Sequence, residues 1–569
     1  MKIDVNTIMN SIKLVGINGR YTHSCLALFY LRNELTKYCP DFKTEILQLT
    51  INDNYFESLL RLSSGNPSYI FISAAIWNSE LVEKYTRDLA ICLPDCRLVI
   101  GGPQAAVLHE KLATTNYSIL LGAIEAVGEQ FYRDLEGFCL QIKYEANFFK
   151  KHDRGFDYPY LDSDFDTHLA NRHIYYESSR GCLFGCSYCL SSVEKGVYHK
   201  PLEMVLKELR DILTHQPKIV RFIDRTFNDL PQRALAIWQF LLDEGGDTLF
   251  HFEMAPDRFT EEMFDFLRQV EPGKFQFEIG IQSTNIATLE AVNRPVDPAV
   301  VHNTVQKLSG MGTIHLHVDL ILGLPYETGR TFAKSFTDVF FMGANYIQMG
   351  LLKILPETPL CYSALEFEYK HSLIPPYSVL ESRWMNFVTI QDLYWFSECV
   401  EKFMNNRYFV LLWDYFRRTN EDIYAFFRCL LSLCQESQFF AYAATQELMS
   451  QKLIAMLANR DDGDIVKELL RIDWLRCNHR FFPACLVPGD GYEQPQDTKN
   501  SLVETLPEEL EGVFTRKTRN RFFRKTYFLR ISKQAGAEIG IDEGVEQPVL
   551  CFLSDRENAL HSYSKMLVL

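Results

Sequence analysis

Three thiols, Cys182, Cys186 and Cys189, stand in the stretch 178–189, SSRGCLFGCSYC, with three residues between the first pair and two between the second. Gly181 and Gly185 precede the first two, and the aromatic Tyr188 directly precedes the third. Thiolates are the usual ligands of iron-sulfur clusters, and a short loop lets three of them converge on one cubane. Three ligands for four irons leave one iron open, and a small molecule with an amine and a carboxylate can chelate it. A zinc knuckle is the competing reading; it needs a fourth Cys or His, for which His173 and His199 are nearest. Three unrelated thiols are the remaining alternative.

Further polar residues fall where such a centre needs them. From about 175 to 365, strand-like runs (Ile174–Ser179, Ile219–Asp224, Phe250–Met254, Phe275–Ile281, Ile314–Leu322, Tyr346–Ile354) alternate with helical ones. Six strand-helix units predict a partial (β/α)6 barrel with its site at the strand carboxyl ends. Those ends carry Asp224-Arg225-Thr226-Phe227-Asn228, Glu253, Gln282 with Ser283, and Asp319; Arg294 follows Gln282. An arginine fork suits a carboxylate, and a carboxylate suits an ammonium or a diol. Taken singly, each acid also reads as a helix cap or ion-pair partner. Lys353, on the sixth strand, faces either the barrel mouth or the outer surface.

The first 140 residues must position a second component. Apolar runs at Ser11–Ile17, Lys43–Leu49, Ser68–Ala75, Arg97–Ile100 and Tyr117–Leu121 alternate with helical stretches such as Ser24–Tyr38 and Ser79–Leu93. This predicts a doubly wound, Rossmann-like parallel sheet whose ligand lies beyond the strand carboxyl ends. The loops there offer Asn18 and Tyr21, then Ser73, Ala74 and Trp77, then Gly101, Gly102 and Pro103, then Gly122 and Glu125. Small residues permit close approach of a bulky ligand, and Trp77 could lie against a flat ring system. Each loop alone also reads as a tight turn.

Residues 141–174 are polar and turn-rich and read as a linker. From 366 to 569 the pattern is mainly helical, with aromatics at core spacing that predict a cap over the barrel opening. A mixed tail follows, in which Phe528–Ile531 and Val549–Leu553 read as strands. There Arg516, Lys517, Arg519, Arg521, Arg524 and Lys525 surround Phe522 and Phe523, read as a solvated basic face. Cys92 with Cys96 and Cys429 with Cys434 read as buried helix thiols.

The net charge of −15 disfavours a nucleic acid partner. No apolar run is long enough to span a membrane. Fifteen cysteines without an export signal point to a reducing cytoplasm.

The cysteine spacing, with the aromatic before the third thiol, resembles the radical S-adenosylmethionine (SAM) superfamily. Glu253, Gln282, Arg294 and Asp319, in the phrases Gly-Ile-Gln-Ser, Asn-Arg and Asp-Leu-Ile-Leu-Gly-Leu-Pro-Tyr-Glu, resemble the SAM-contacting set of its coproporphyrinogen-oxidase-like and methylthiotransferase branches. The loops of the first sheet, Gly101-Gly102-Pro103 above all, resemble a cobalamin-binding domain. The whole resembles B12-binding radical SAM proteins with a helical C-terminal domain.

That resemblance implies a [4Fe-4S] cluster on the three cysteines, SAM at the open iron and cobalamin beside the barrel. It implies an acid for the SAM amino group, an arginine near its carboxylate and polar contacts to its ribose. It implies SAM cleavage to a 5'-deoxyadenosyl radical and methylation of an unactivated carbon of a small-molecule substrate, with a flavodoxin or ferredoxin as reductant. A cyclase or rearrangement enzyme with the same cofactors is the alternative; a cobalamin-binding sensor or carrier with a structural cluster is the alternative of another class. Two features depart from relatives: Gly122-Ala123-Ile124-Glu125 replaces a Gly-Glu-Gly-Glu-like stretch, and the Asp-x-His-x-x-Gly signature of a lower axial histidine is absent. His23 lies after the first strand without that pattern.

Overall fold

The computed structural model describes residues 10–569 except 113–115, 151–154, 458–459, 489–496, 498–499, 501, 503–525, 543 and 555–563. The basic cluster of the tail therefore lies outside the described residues. The fold is α/β with a helical C-terminal region, as the alternation of apolar runs predicts.

Six strands form the first sheet: β1 (Ser11–Asn18), β2 (Lys43–Thr50), β3 (Tyr69–Ser73), β4 (Arg97–Gly101), β5 (Tyr117–Leu121) and β6 (Lys143–Glu145). Their order is β2-β1-β3-β4-β5-β6, with every pair parallel. Strands covered on both faces must be apolar throughout, and Ile12, Leu14 and Val15 of β1 are fully buried. The order reverses between β1 and β3, which opens a crevice at their carboxyl ends.

The stretch 141–174 is not merely a linker. It supplies β6 and the helix Asp162–Thr167. Lys143-Tyr144-Glu145 shows no apolar run because an edge strand keeps two of these side chains in water.

The second sheet is built from β7 (Ile174–Tyr176), β10 (Ile219–Phe222), β11 (Leu249–Met254), β12 (Phe275–Gln282), β13 (His315–Leu322) and β14 (Tyr346–Leu351), in sequence order and all parallel. Between β7 and β10 a hairpin of β8 (Ser179–Cys182) and β9 (Gly196–His199) stands apart. The expected first strand thus breaks after Tyr176. On the outer face, Trp238 is fully buried, with ring centroids 5.4 Å from Phe277 and 6.2 Å from Phe252. β7 and β14 do not pair, so the barrel is open at one side.

The helical region packs along β14. A π-helical turn, Glu401–Asn405, brings Asn405 to the strand edge. There its side-chain carbonyl accepts from Ile347 N at 2.9 Å and its Nδ2 donates to Ile347 O at 2.8 Å. One carboxamide thus supplies the pairing that a seventh strand would give. In the tail, Thr526–Arg530, Val549–Ser554 and Ser564–Val568 form an antiparallel sheet with one strand more than expected. Cys96 and Cys434 are buried, but Cys92 and Cys429 are exposed, since each lies on the outer side of its helix.

The two sheets meet at Arg180. Its guanidinium lies 3.0 Å from Glu125 and 2.6 Å from Glu177, over the rings of Phe148 and Phe156 at 4.7 and 4.3 Å. Breaking a largely buried ion cluster by removing one member leaves charge uncompensated. Arg180→Ala should therefore lower stability by about 3 kcal/mol, read as a lower urea midpoint of the unloaded protein.

Candidate active site

The thiol stretch is pinned from three sides. Asp224, just past β10, accepts from Ser178 N at 3.0 Å, Ser178 Oγ at 2.6 Å and Ser179 Oγ at 2.6 Å. Gly181 has φ +98°, and a Cβ there would stand 2.1 Å from Gly196 O, so the hairpin admits only glycine. Asn293 Nδ2 donates to Gly185 O at 2.8 Å, Ser187 N to Val292 O at 2.9 Å, and Leu360 N to Ser187 O at 2.8 Å.

Cys182, Cys186 and Cys189 open onto one cavity of about 270 Å³, shared with Tyr188, Arg225, Glu253, Gln282, Arg294 and Asp319. Five of these belong to the polar set expected at the strand ends. Glu278 lines it too and was not foreseen. The signal was present: β12 alternates, FQFEIGIQ, and Glu278, Gly280 and Gln282 share its less buried face. Ser283 falls on the other face, is buried, and donates to Glu327 Oε1 at 2.7 Å. It lies away from the thiol cavity because a one-residue step reverses the side chain.

Arg294 Nη1 donates to Cys186 Sγ at 3.5 Å and Nη2 to Gly280 O at 2.5 Å. Its guanidinium also lies 5.4 Å from the Phe184 ring centroid. Arg225 approaches Glu253 at 3.5 Å. Burial raises the Glu253 pKa, with Arg225 opposing. Burial, then Glu278 and Glu253, push the Asp319 carboxyl well above the usual range. The His251 hydrogen bond holds Glu278 low. Gln282 Oε1 and Asp319 Oδ1 are buried without a hydrogen-bond partner.

These groups fit a cluster and a polar ligand. Thiols that share a cavity wall can each take a different iron, and the orphaned oxygens supply contacts that a bound amine or hydroxyl would satisfy. Among the described residues no three His, Cys, Asp or Glu side chains are grouped to hold a single metal ion. Neither proposed fourth zinc ligand lines the cavity: His199 Nε2 lies 3.0 Å from Asp229, and the His173 ring lies 5.5 Å from that of His23. Lys353 lies beyond β14, exposed, in a bridge to Ser378.

A second cavity, about 310 Å³, lies between the carboxyl ends of the first sheet, the helix Leu26–Tyr38, and Glu177 and Arg180 of the barrel. Its walls are mostly apolar, including Tyr30, Phe71, Val99 and Leu120. Ser73, Gly101, Gly102, Gly122 and Glu125 line it. Asn18, Tyr21, Ala74, Trp77 and Pro103 do not. Asn18 donates to Gln48, Tyr21 lies under Arg172, Ala74 is fully buried, and Pro103 is exposed. Trp77 is exposed, with its Nε1 donating to Ile17 O at 3.0 Å. Gly102 and Gly122 also answer to the chain itself: a Cβ would meet Ala74 O at 2.6 Å and Ala146 O at 1.7 Å respectively.

Residues 176–339 match the radical SAM superfamily, and residues 365–541 match a family described as a protein of unknown function, DUF4080. The first match covers Cys182, Cys186 and Cys189 together with Glu253, Gln282, Arg294 and Asp319. The chain is 25% identical over 239 residues to the uncharacterized methyltransferase PH0819 of Pyrococcus horikoshii, 41% of this chain and 49% of that one. It is 25% identical over 193 residues to the cobalamin-dependent radical SAM methyltransferase TokK of Streptomyces tokunonensis, 32% of this chain and 28% of that one. The matches thus span half or less of these curated relatives. The solved structure of the cobalamin-dependent SAM radical enzyme OxsB shares the fold at 14% identity and a TM-score of 0.55, over 83% of this chain and 81% of that one. Among the described residues no helix is long and apolar enough to cross a membrane.

Asp319 gives a prediction of sign. A carboxyl raised on folding contributes stability that is present below the ordinary carboxylate pKa and lost as pH rises above it. Asp319→Asn removes that loss. In thermal unfolding of the unloaded protein, the variant should be more stable than wild type at pH 8, with the difference closing toward pH 4.

Proposed function

We propose that the chain is a cobalamin-dependent radical SAM enzyme that methylates an unactivated carbon of a small molecule. The observation that carries this is the shared cavity, in which three thiols face Glu253, Gln282, Arg294 and Asp319 beside a Rossmann-like sheet. Cys182, Cys186 and Cys189 would ligate three irons of a [4Fe-4S] cluster and leave the fourth for SAM. Arg294 would take the SAM carboxylate, while Glu253 and Asp319 would take its ammonium and ribose hydroxyls. Gln282 would accept a hydrogen bond at its free oxygen, and Tyr188 would wall the thiols. Ser283 acts one layer out, through Glu327.

Together the cofactors supply an electron, a 5'-deoxyadenosyl radical and a methyl group. The residues bind and orient: Arg294, fixed by Gly280 O, offsets thiolate charge at Cys186 and presents a second edge to an anion. Apolar walls around Phe71 and Val99 exclude water from the second cavity, which would receive part of cobalamin with Gly101, Gly102, Gly122 and Glu125 at its rim. The exposed Tyr21, Trp77 and Pro103 would contribute from the outer crevice, while Asn18 and Ala74, both buried, would shape the loops behind it. TokK and OxsB are cobalamin-dependent by name, which supports the same cofactor here.

In this reading residues 1–140 carry cobalamin, 175–365 the radical chemistry, and 366–569 brace the barrel edge. A flavodoxin or ferredoxin would supply electrons. All fifteen cysteines are free, which suits the reducing cytoplasm that the cluster also needs.

Anaerobic reconstitution should give four irons per chain and dithionite-dependent formation of 5'-deoxyadenosine, and Cys186→Ser should abolish both. With cobalamin added, label from methyl-labelled SAM should appear on the corrin. A zinc-only metal content with SAM left intact would overturn the radical reading. SAM cleavage without label on the corrin would overturn methylation alone.

A further inference from the structure

The inside of the barrel is polar well below the thiol cavity. Closed barrels of this kind fill their interior with bulky branched side chains. Here the inward row of neighbouring strands reads Arg221, His251, Gln276, Glu278, His317 and Tyr346, while Phe250, Phe252, Phe275 and Phe277 point outward and are fully buried. Apart from the buried His251, these inward groups remain partly open, the Arg221 and Glu278 side chains at 27% and 32% exposed. A polar, accessible lumen is a binding chamber, not a packed core.

Charge divides this chamber in two. The upper layer is acidic, with Glu253 and Asp319, and Glu278 joins it to the lower one, its carboxylate 4.0 Å from Arg221. His251 lies two residues below Glu253 on β11, about 7 Å deeper by strand rise. At that depth Arg221 Nη2 lies 3.1 Å from His251 Nε2, which faces Glu278 Oε2 at 3.0 Å. Toward the open side, the His23 ring bonds the Tyr175 hydroxyl and sits beside His173. Arg20, exposed in the loop after β1 three residues before His23, adds positive charge near His23.

The charged groups acting on His23 and His173 are all basic: Arg20 and Arg221 on the first, Arg221, His23 and His251 on the second. Burial, then these neighbours, push His173 down to about 4. His173 Nδ1 and His251 Nδ1 are buried with no hydrogen-bond partner, and His251 is only 2% exposed. A basic layer with orphaned ring nitrogens is completed by an anion that accepts several hydrogen bonds.

We propose that this layer, centred on Arg221 with Arg20, His173 and His251, binds an oxyanion of the substrate, a carboxylate or a phosphate ester. The bound molecule would extend from that anchor up toward the thiol cavity. What then happens to it rests on the radical SAM reading above, but the binding does not.

The test is calorimetric titration of the reconstituted full-length protein with succinate, with glycerol 3-phosphate and, as a cationic control, with 1,4-diaminobutane. One of the two oxyanions should saturate a single site, and which one does identifies the class. Arg221→Gln should weaken it at least about tenfold, the loss of one charge-assisted pair. Arg20→Gln, on an exposed loop where folding is not at stake, should weaken it about threefold. Saturation by neither oxyanion, saturation by the diamine, or unchanged binding in both variants would overturn the proposal. SAM cleavage by wild type, assayed on the same preparation, separates the two readings: oxyanion binding without cleavage removes the radical assignment alone, and cleavage without oxyanion binding removes this one alone.

Discussion

One buried carboxylate holds the site in place. Asp224 is 1% exposed, and a charge at such depth is costly unless it is met by donors. Burial raises its pKa, and the bonds from Ser178 and Ser179 counter that shift. Because Asp224 follows β10 directly and the two serines begin the thiol stretch, the three bonds tie the cysteines to the sheet. The next residue, Arg180, ties the same stretch to Glu125 of the first sheet. The position of the thiols relative to both cavities follows from these two adjacent attachments.

From there the strand period does the rest. Each barrel strand turns aromatic or aliphatic side chains outward to the helices and polar ones inward, so its buried face stabilises the fold and its other face is free for chemistry. At β12 this puts Phe275 and Phe277 against Trp238, and Glu278 and Gln282 inside. Asp319, beside Gly280 in register, has its pKa pushed up by burial and, next, by the acids Glu278 and Glu253. Such an arrangement costs stability.

Much of this was legible in the chain. The spacing of Cys182, Cys186 and Cys189 pointed to a tight loop, and the apolar runs marked eleven strands of the two sheets to within a few residues. Glu253, Gln282, Arg294 and Asp319 could be singled out because they end or follow strands. Other features were hidden for physical reasons. β6 is a short edge strand without an apolar run, and the course of the helical region depends on Asn405 reaching Ile347, a contact 58 residues apart. Glu278 was missed although its alternation with Gln282 announced it, while Ser283 sat beside the right residue on the wrong face. Trp77 suggested a stacking surface, yet its indole is engaged by Ile17 O, a backbone partner that no local pattern reveals.

The central claim is that three thiols leave one iron open to SAM. Frozen-solution electron paramagnetic resonance of the reconstituted, dithionite-reduced protein, recorded before and after adding SAM, tests it most directly. A reduced four-iron signal whose g values move when SAM is added is the predicted result. A four-iron signal indifferent to SAM would contradict the account.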